Sequence, residues 1–227
     1  MDLIQILTDF DTQLLLSANC HHCEAMDNFM EIFSWKWTWV PFYASFLYVM
    51  LRNFSWKVTL TCLLVIALLI TISDQTASHL LRPWIQRMRP SNPENPISPM
   101  IHLVDNYRSG AYGFPSAHST NAWSLTFFAI YLVRRRFLTW FMVMWALLTC
   151  YSRVYLGVHY PGDLFVGMLI GLACATLVYY LFQRLRGEDV HAFKPAGVPL
   201  KDAWVPLGVG SAMIIGLLIC SFFMELI

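Results

Sequence analysis

The chain of 227 residues is 57% hydrophobic and only 13% charged, with a mean hydropathy of +0.53. This composition excludes an ordinary soluble domain, and several apolar runs reach the roughly 18–20 residues that cross a bilayer. A net charge of +1 without a basic stripe argues against a nucleic-acid partner. We therefore predict a polytopic helical membrane protein.

The N-terminal segment, residues 3–17, is predicted to form an amphipathic helix in the membrane interface. Its apolar residues recur at helical spacing: Leu3, Ile6, Leu7, Phe10 and Leu14. The first residues are acidic and no cleavable apolar core follows, so we expect no signal peptide. In Cys20-His21-His22-Cys23, the lack of a second ligand pair favours a disulfide, free thiols or a plain loop over structural zinc.

Six apolar segments are predicted to span the membrane as helices. The first carries an interfacial belt of Trp35, Trp37 and Trp39 and a kink at Pro41. In the fifth, Gly167 and Gly171 form a small-xxx-small pair for close helix packing. The spans cover about residues 27–51, 56–81, 114–136, 137–155, 161–185 and 204–227, the third ending at Arg134-Arg135-Arg136.

The second span becomes too polar for lipid near its end, where Asp74, Ser78 and Arg82 follow one another at a spacing of four. This end is expected to face protein or a water-filled cavity, with Asp74 orienting Arg82 or another polar group. A polar segment with five prolines then continues to Gly113. Loops of this length are usually lids, binding loops or disordered segments.

The distribution of basic residues predicts the orientation. Six spans place both termini on one side, and three connections lie on the other. The connections carry nine cations: Arg52, Lys57, Arg134, Arg135, Arg136, Arg184, Arg186, Lys194 and Lys201. The side with the termini carries six: Lys36, Arg82, Arg87, Arg89, Arg108 and Arg153. By the positive-inside rule, the termini and the loop of residues 82–114 face outward.

Three motifs on that outer side carry groups that handle phosphate. They are Arg82-x6-Arg89-Pro90, then Pro115-Ser116-Ala117-His118, then Ser152-Arg153-x5-His159-x3-Asp163. Arginine suits phosphate through its planar fork of donors, and a helix N-terminus is an anion site. A carboxylate four residues after a histidine can fix the tautomer of the ring. Snorkelling arginines and a capping serine would explain each motif alone, but not their common order and side.

Together these motifs resemble those of the type-2 phosphatidic acid phosphatase superfamily, whose membrane members are six-span lipid phosphatases. The family pattern is Lys-x6-Arg-Pro, Pro-Ser-Gly-His and Ser-Arg-x5-His-x3-Asp. Two positions depart from it. Arg82 replaces the lysine and keeps its charge, and Ala117 replaces the glycine, so the backbone there must suit a β-carbon.

The resemblance implies a role for each motif residue. His159 attacks phosphorus and forms a phosphohistidine, while Asp163 holds the ring and stabilises its charge. His118 acts as general acid and then as base. The phosphoryl oxygens are bound by the remaining motif residues, Arg82, Arg89, Arg153, Ser116 and Ala117. No metal and no cofactor are required. Arg87 and Arg108 are either lid contacts to a headgroup or solvated loop charges.

The fold class implied is all-α: a six-span membrane bundle with an N-terminal interfacial helix, forming one phosphatase domain over residues 1–227. Its partners would be the bilayer and a lipid phosphate or diphosphate, with no nucleic acid and no obligate protein partner. The location would be a bacterial-type inner membrane, with the site facing the periplasm. Undecaprenyl diphosphate, phosphatidylglycerol phosphate, phosphatidic acid and lipid A remain possible substrates. Phosphotransfer, hydrolysis of soluble monoesters and non-catalytic anion binding remain alternatives.

Overall fold

The computed structural model describes residues 3–186 and 200–224. Within them the chain is helical, and strand pairing is limited to one isolated bridge between Met88 and Tyr112, which confirms the all-α class. The α-helices are α1 Leu3–Asn19, α2 Glu24–Ser34, α3 Val40–Asn53, α4 Trp56–Gln75, α5 Arg82–Ile85, α6 Ala117–Val133, α7 Arg136–Tyr155, α8 Pro161–Arg186 and α9 Val205–Met224.

Four helical segments in the described residues are long and apolar enough to cross a membrane: Trp56–Ile85, Arg136–Tyr155, Pro161–Arg184 and Val205–Met224. They confirm a multi-pass membrane protein and correspond to the second, fourth, fifth and sixth predicted spans. Helix α6 has only 17 residues, so six crossings remain a prediction. The predicted end of the sixth span at Ile227, and Lys194 in the preceding connection, lie outside the described residues.

The first predicted span is not one continuous helix. It is divided into α2 and α3 by a turn, because side chains in the turn bond the carbonyls at the end of α2. Thr38 Oγ1 donates to the Ile32 carbonyl at 2.6 Å, and the Trp39 indole donates to the Phe33 carbonyl at 2.9 Å. Pro41 lies in the first turn of α3, where it begins a helix instead of kinking one.

Helix α4 continues past Gln75 through a π-helical stretch, Thr76–Leu81, into the short α5. Ser55 caps its start by accepting a hydrogen bond from the Val58 amide. A π-helical turn widens the helix, and such turns occur often at functional sites. Here it carries the chain to Arg82 at the end of the bundle where α6 and α8 begin.

Helices α6 and α8 pack closely through the two predicted small residues. A β-carbon at Gly167 would lie 2.8 Å from the Ser116 carbonyl oxygen, and one at Gly171 would lie 2.8 Å from the Thr120 carbonyl oxygen. The backbones therefore approach within the space that a side chain would fill. This packing sets the first turn of α6 directly beside the first turn of α8.

Helix α1 packs its polar side and Leu15 against the ends of α7 and α8, with Leu15 completely buried. The five apolar residues predicted to share one face of this helix are all exposed: Leu3, Ile6, Leu7, Phe10 and Leu14. The amphipathic character of α1 is thus confirmed. Its contact with the membrane interface remains a prediction.

Candidate active site

Two extended segments of the long loop form one wall of the site. The Arg89 amide donates to the Ala111 carbonyl at 3.0 Å, and the Gly113 amide donates to the Arg87 carbonyl at 2.9 Å. In an extended segment, residues two apart point to the same side. Arg87 and Arg89 therefore both face the bundle. Arg108 strengthens the loop by donating to Ser98 Oγ at 3.0 Å and to the Ser91 carbonyl, and the residue remains exposed.

The His159–Asp163 pair is positioned by the start of α8. Asp163 lies in the first turn, and its Oδ2 accepts a hydrogen bond from the Tyr160 amide at 3.1 Å, in the manner of a capping box. The same oxygen lies 3.3 Å from His159 Nδ1. Both side chains are buried. The spacing of four residues thus brings the carboxylate to the ring, as predicted.

The second ring nitrogen of His159 faces the arginines. Arg89 Nη1 lies 2.6 Å from His159 Nε2. A guanidinium group can only donate, so Nε2 must be the acceptor and Nδ1 must carry the ring proton. Burial, together with the charges of Arg89, Arg153 and Arg82, holds the pKa of His159 well below its ordinary value. The imidazole is therefore neutral at neutral pH, with the lone pair of Nε2 directed to the cationic side.

The three motif arginines converge at this point and are incompletely paired. Among the described residues, the Nε atoms of Arg82, Arg89 and Arg153 are buried without a hydrogen-bond acceptor. Burial, then the charges of Arg82 and Arg153, lower the pKa of Arg89 to about 10, which still leaves it charged. Buried guanidinium N–H groups of like charge destabilise a protein unless an anion accepts their hydrogen bonds. The arrangement suits a phosphoryl group.

The second motif forms the first turn of α6. Ser116 is the N-cap, and its hydroxyl accepts from the Ser119 amide at 3.5 Å, while its own amide donates to the Asp163 carbonyl at 3.0 Å. Ala117 is the first helical residue, so its backbone tolerates the β-carbon. His118 is solvent-exposed, yet it lies within the electrostatic field of the arginines and of His159. All three predicted segments thus meet at one site.

Two site residues were missed by the sequence motifs. Arg87 Nη1 donates to Asp163 Oδ1 at 2.9 Å, and Arg87 Nη2 lies 2.7 Å from Asp11 Oδ2 on α1. The alternation Arg87-Met88-Arg89 was the available signal, since an extended backbone would place both arginines on one side. The ion pair of Arg87 with Asp163 shows that Arg87 is not a solvated loop charge.

The segment Cys20-His21-His22-Cys23 forms the loop between α1 and α2, and its two cysteines are free. All six cysteines are free, and Cys20 Sγ lies 3.1 Å from His21 Nδ1. Among the described residues no group of three His, Cys, Asp or Glu side chains is arranged to hold a metal ion.

The fold and site describe a helical membrane protein with a buried histidine–carboxylate pair beneath a cluster of arginines. Residues 62–186 match the PAP2 superfamily. A lipid A 4'-phosphatase of Bacteroides thetaiotaomicron is 43% identical over 96% of this chain and 98% of its own length. The corresponding protein of Porphyromonas gingivalis is 34% identical over 85% of this chain and 81% of its own length. The chain belongs to the PAP2 superfamily and is a membrane phosphatase of lipid phosphates.

A solved structure is also similar in fold. The PAP2-type phosphatidylglycerolphosphate phosphatase of Bacillus subtilis superposes with a TM-score of 0.56, covering 79% of this chain and 88% of that protein. The two sequences are 23% identical. This likeness supports the helical arrangement of the bundle.

Proposed function

We propose that this enzyme removes a phosphate monoester from a lipid A-type glycolipid through a phosphohistidine intermediate on His159. One observation carries the chemistry: His159 Nδ1 is held by Asp163, while Nε2 faces three arginines whose buried Nε donors have no acceptor among the described residues. A nucleophile and a phosphate-binding group therefore occupy adjacent positions.

In the first step, the lone pair of His159 Nε2 attacks phosphorus, and the bond from phosphorus to the ester oxygen breaks. His118, protonated once the bound phosphate anion offsets the charges of the arginines, gives its proton to that oxygen, which leaves as the lipid hydroxyl. The ring of His159 gains positive charge, which Asp163 Oδ2 stabilises through the Nδ1 proton. The three arginines bind the phosphoryl oxygens, where negative charge is concentrated.

In the second step, neutral His118 takes a proton from water, and the water oxygen attacks phosphorus. The phosphorus–nitrogen bond breaks, and its electron pair returns to Nε2. Phosphate is released and His159 is neutral again. Ser116 and the amides around Ala117 add donors at the N-terminus of α6. The residues of this scheme require no metal.

Substrate binding must first free the nucleophile. His159 is only 1% exposed, and Arg89 donates to its Nε2. A phosphoryl group that enters the cluster accepts the Arg89 hydrogen bonds in place of Nε2. Because a phosphate oxygen is a charged acceptor and the imidazole is not, this exchange is favourable. The lone pair becomes available at the moment the phosphate is in place.

The topology that fits this chemistry has six crossings in a single domain over residues 1–227. The pair α2–α3 would form the first crossing and α6 the third, alongside the four segments with spanning length. The excess of cations on the three opposite connections supports a cytoplasmic position for them. The site then faces the periplasm from an inner membrane, where a lipid can enter from the outer leaflet.

The substrate class rests on the two lipid A 4'-phosphatases, since both are similar over most of this chain. A substrate anchored by acyl chains is compatible with a site at the end of a membrane bundle. The phosphate-binding residues themselves recognise the transferred group, which lipid A shares with other lipid phosphates.

The test is phosphate release by the purified protein from lipid A that carries phosphate at both ends of its disaccharide. Mass spectrometry of the product identifies the position lost. Phosphatidic acid and undecaprenyl diphosphate serve as competing substrates, and His159→Ala is the matched inactive control. Water labelled with ¹⁸O should label the released phosphate. Enzyme quenched in alkaline detergent should carry on His159 a phosphate that is stable to alkali and labile to acid.

Loss of the 4'-phosphate that requires His159 would support the proposal. Preference for phosphatidic acid or undecaprenyl diphosphate would reject lipid A as the substrate class. Transfer of phosphate to an added lipid hydroxyl without ¹⁸O incorporation would identify a transferase. Turnover by His159→Ala would remove the phosphohistidine.

A further inference from the structure

Arg87 joins the catalytic carboxylate to the N-terminal helix. Its Nη1 donates to Asp163 Oδ1 at 2.9 Å, and its Nη2 contacts Asp11 Oδ2 at 2.7 Å. The guanidinium carbon lies 3.9 Å from the centroid of the Tyr160 ring. One planar group is thus fixed by two carboxylates and one aromatic face, a combination for which arginine is suited.

The direction of this side chain follows from the paired loop segments. Because residues 87–89 are extended against residues 111–113, Arg87 and Arg89 point to the same side. Their guanidinium groups reach opposite ends of the His159–Asp163 pair. Arg89 contacts Nε2 of His159, and Arg87 contacts the far oxygen of Asp163.

Asp11 is itself held in place from two directions. Its Oδ1 accepts a hydrogen bond from the Gly162 amide in the first turn of α8 at 2.7 Å. A β-carbon on Gly162 would lie 2.7 Å from Asp11 Oδ2, so only glycine permits this approach. Carboxylates near a helix N-terminus are stabilised by its dipole. Asp11 thereby fixes α1 to the same turn that carries Asp163.

We propose that Arg87, held by Asp11, is a positioning residue that keeps Asp163 ionised and its Oδ2 directed to His159, so that α1 is part of the active centre. The terminal torsion of an aspartate is soft. With Oδ1 bound to Arg87, the carboxylate cannot rotate and Oδ2 remains at Nδ1. Without Arg87, one oxygen of a buried carboxylate loses its charged partner, and the ring of His159 loses its orientation. This inference rests on the proposed phosphatase chemistry.

The experiment uses the full-length protein in mixed micelles, with lipid A bisphosphate and p-nitrophenyl phosphate as two phosphomonoester probes. Arg87→Ala should lower kcat by about 10- to 100-fold, the usual effect of losing a partner that orients a catalytic group. KM should stay within about threefold, since both Nη atoms of Arg87 are already engaged by the carboxylates of Asp163 and Asp11. Arg87→Lys should recover part of kcat, and added guanidinium ion should partly rescue Arg87→Ala.

A second variant tests the link to α1. Asp11→Asn keeps an acceptor for Gly162 but removes the charge that holds Arg87, and it should lower kcat by about 3- to 10-fold, since it acts one residue further from the chemistry. In the Arg87→Ala background the same change should have no further effect, since the two residues act as one unit. Arg108→Ala is the matched control, because Arg108 is an arginine of the same loop and donates to Ser91 and Ser98 of that loop.

The outcomes separate this inference from the proposed function. If the wild type releases phosphate and Arg87→Ala retains its kcat, the positioning role is wrong while the phosphatase stands. Equal losses in Arg87→Ala and Arg108→Ala, or additive losses in the double variant, would also overturn it, since they indicate general loop damage. If the wild type releases phosphate from neither probe, the proposed function and the role of Arg87 both fall.

Discussion

Gly113 offers the sharpest test of how the loop contacts the His159–Asp163 pair. A β-carbon built on it would lie 3.0 Å from Asp163 Oδ2, 3.1 Å from Arg89 Cγ and 3.4 Å from His159 Nδ1. Ordinary van der Waals contacts begin near 3.4 Å, so the pair must shift by a few tenths of an ångström. A displacement of 1 Å costs about 100-fold in rate, so Gly113→Ala should lower kcat by about 5- to 20-fold.

The assay is phosphate release at saturating substrate, with thermal unfolding measured beside it. Gly110→Ala is the matched control, because Gly110 lies in the same loop and a β-carbon there would meet no described atom within 4 Å. The control should keep its kcat, and both variants should unfold within a few degrees of the wild type. Wild-type kcat in Gly113→Ala would refute the close contact of Gly113 with the His159–Asp163 pair. Equal losses of kcat in the two variants would refute it as well.

Three further predictions concern packing, protonation and metals. Gly171→Ala should destabilise the bundle by about 1–3 kcal/mol through overpacking, because the new carbon would lie 2.8 Å from the Thr120 carbonyl oxygen and 2.9 Å from the Ser124 amide. Gly216→Ala, in open space within α9, should not lower the melting temperature, since alanine favours a helix over glycine. A loss equal to that of Gly171→Ala would contradict the packing argument. Because the pKa of His159 is lowered, protonation of the ring should remove the nucleophile only well below pH 6.5. The measurement is the pH profile of kcat/KM, corrected for substrate ionisation. A fall of activity with an apparent pKa of 6.5 or above would contradict this. Chelator should not reduce phosphate release, whereas vanadate should compete with substrate; inhibition reversed by one divalent ion would oppose the scheme.

Much of the bundle was predictable because its helix ends have strong local signals. Tyr155 and Pro161 bound the fourth and fifth spans in the sequence as in the structure, since a proline fixes the start of α8. The break between α2 and α3 was not predictable from hydropathy. Tryptophan is counted among the hydrophobic residues, but the bond from the Trp39 indole to the Phe33 carbonyl depends on the folded turn.

The motif residues of the site were predictable because the pattern joins residue types to fixed spacings. Asp163 reaches His159 through a local capping geometry that a separation of four residues encodes. Asp11 could not be found in this way. It accepts a hydrogen bond from Gly162, which lies 151 positions further along the sequence. Within α1 its position indicates only a polar residue on the polar face of an amphipathic helix.

The two arginines of Arg87-Met88-Arg89 show why residue type alone does not assign a role. Both are carried by the same extended segment and face the His159–Asp163 pair. Arg87 is neutralised by Asp11 and Asp163, so it has little affinity left for a further anion. Arg89 donates to a neutral imidazole and a carbonyl, and its Nε is buried without an acceptor among the described residues. A phosphoryl group therefore binds more favourably at Arg89. Arg87 is more stable in its ion pairs with Asp11 and Asp163.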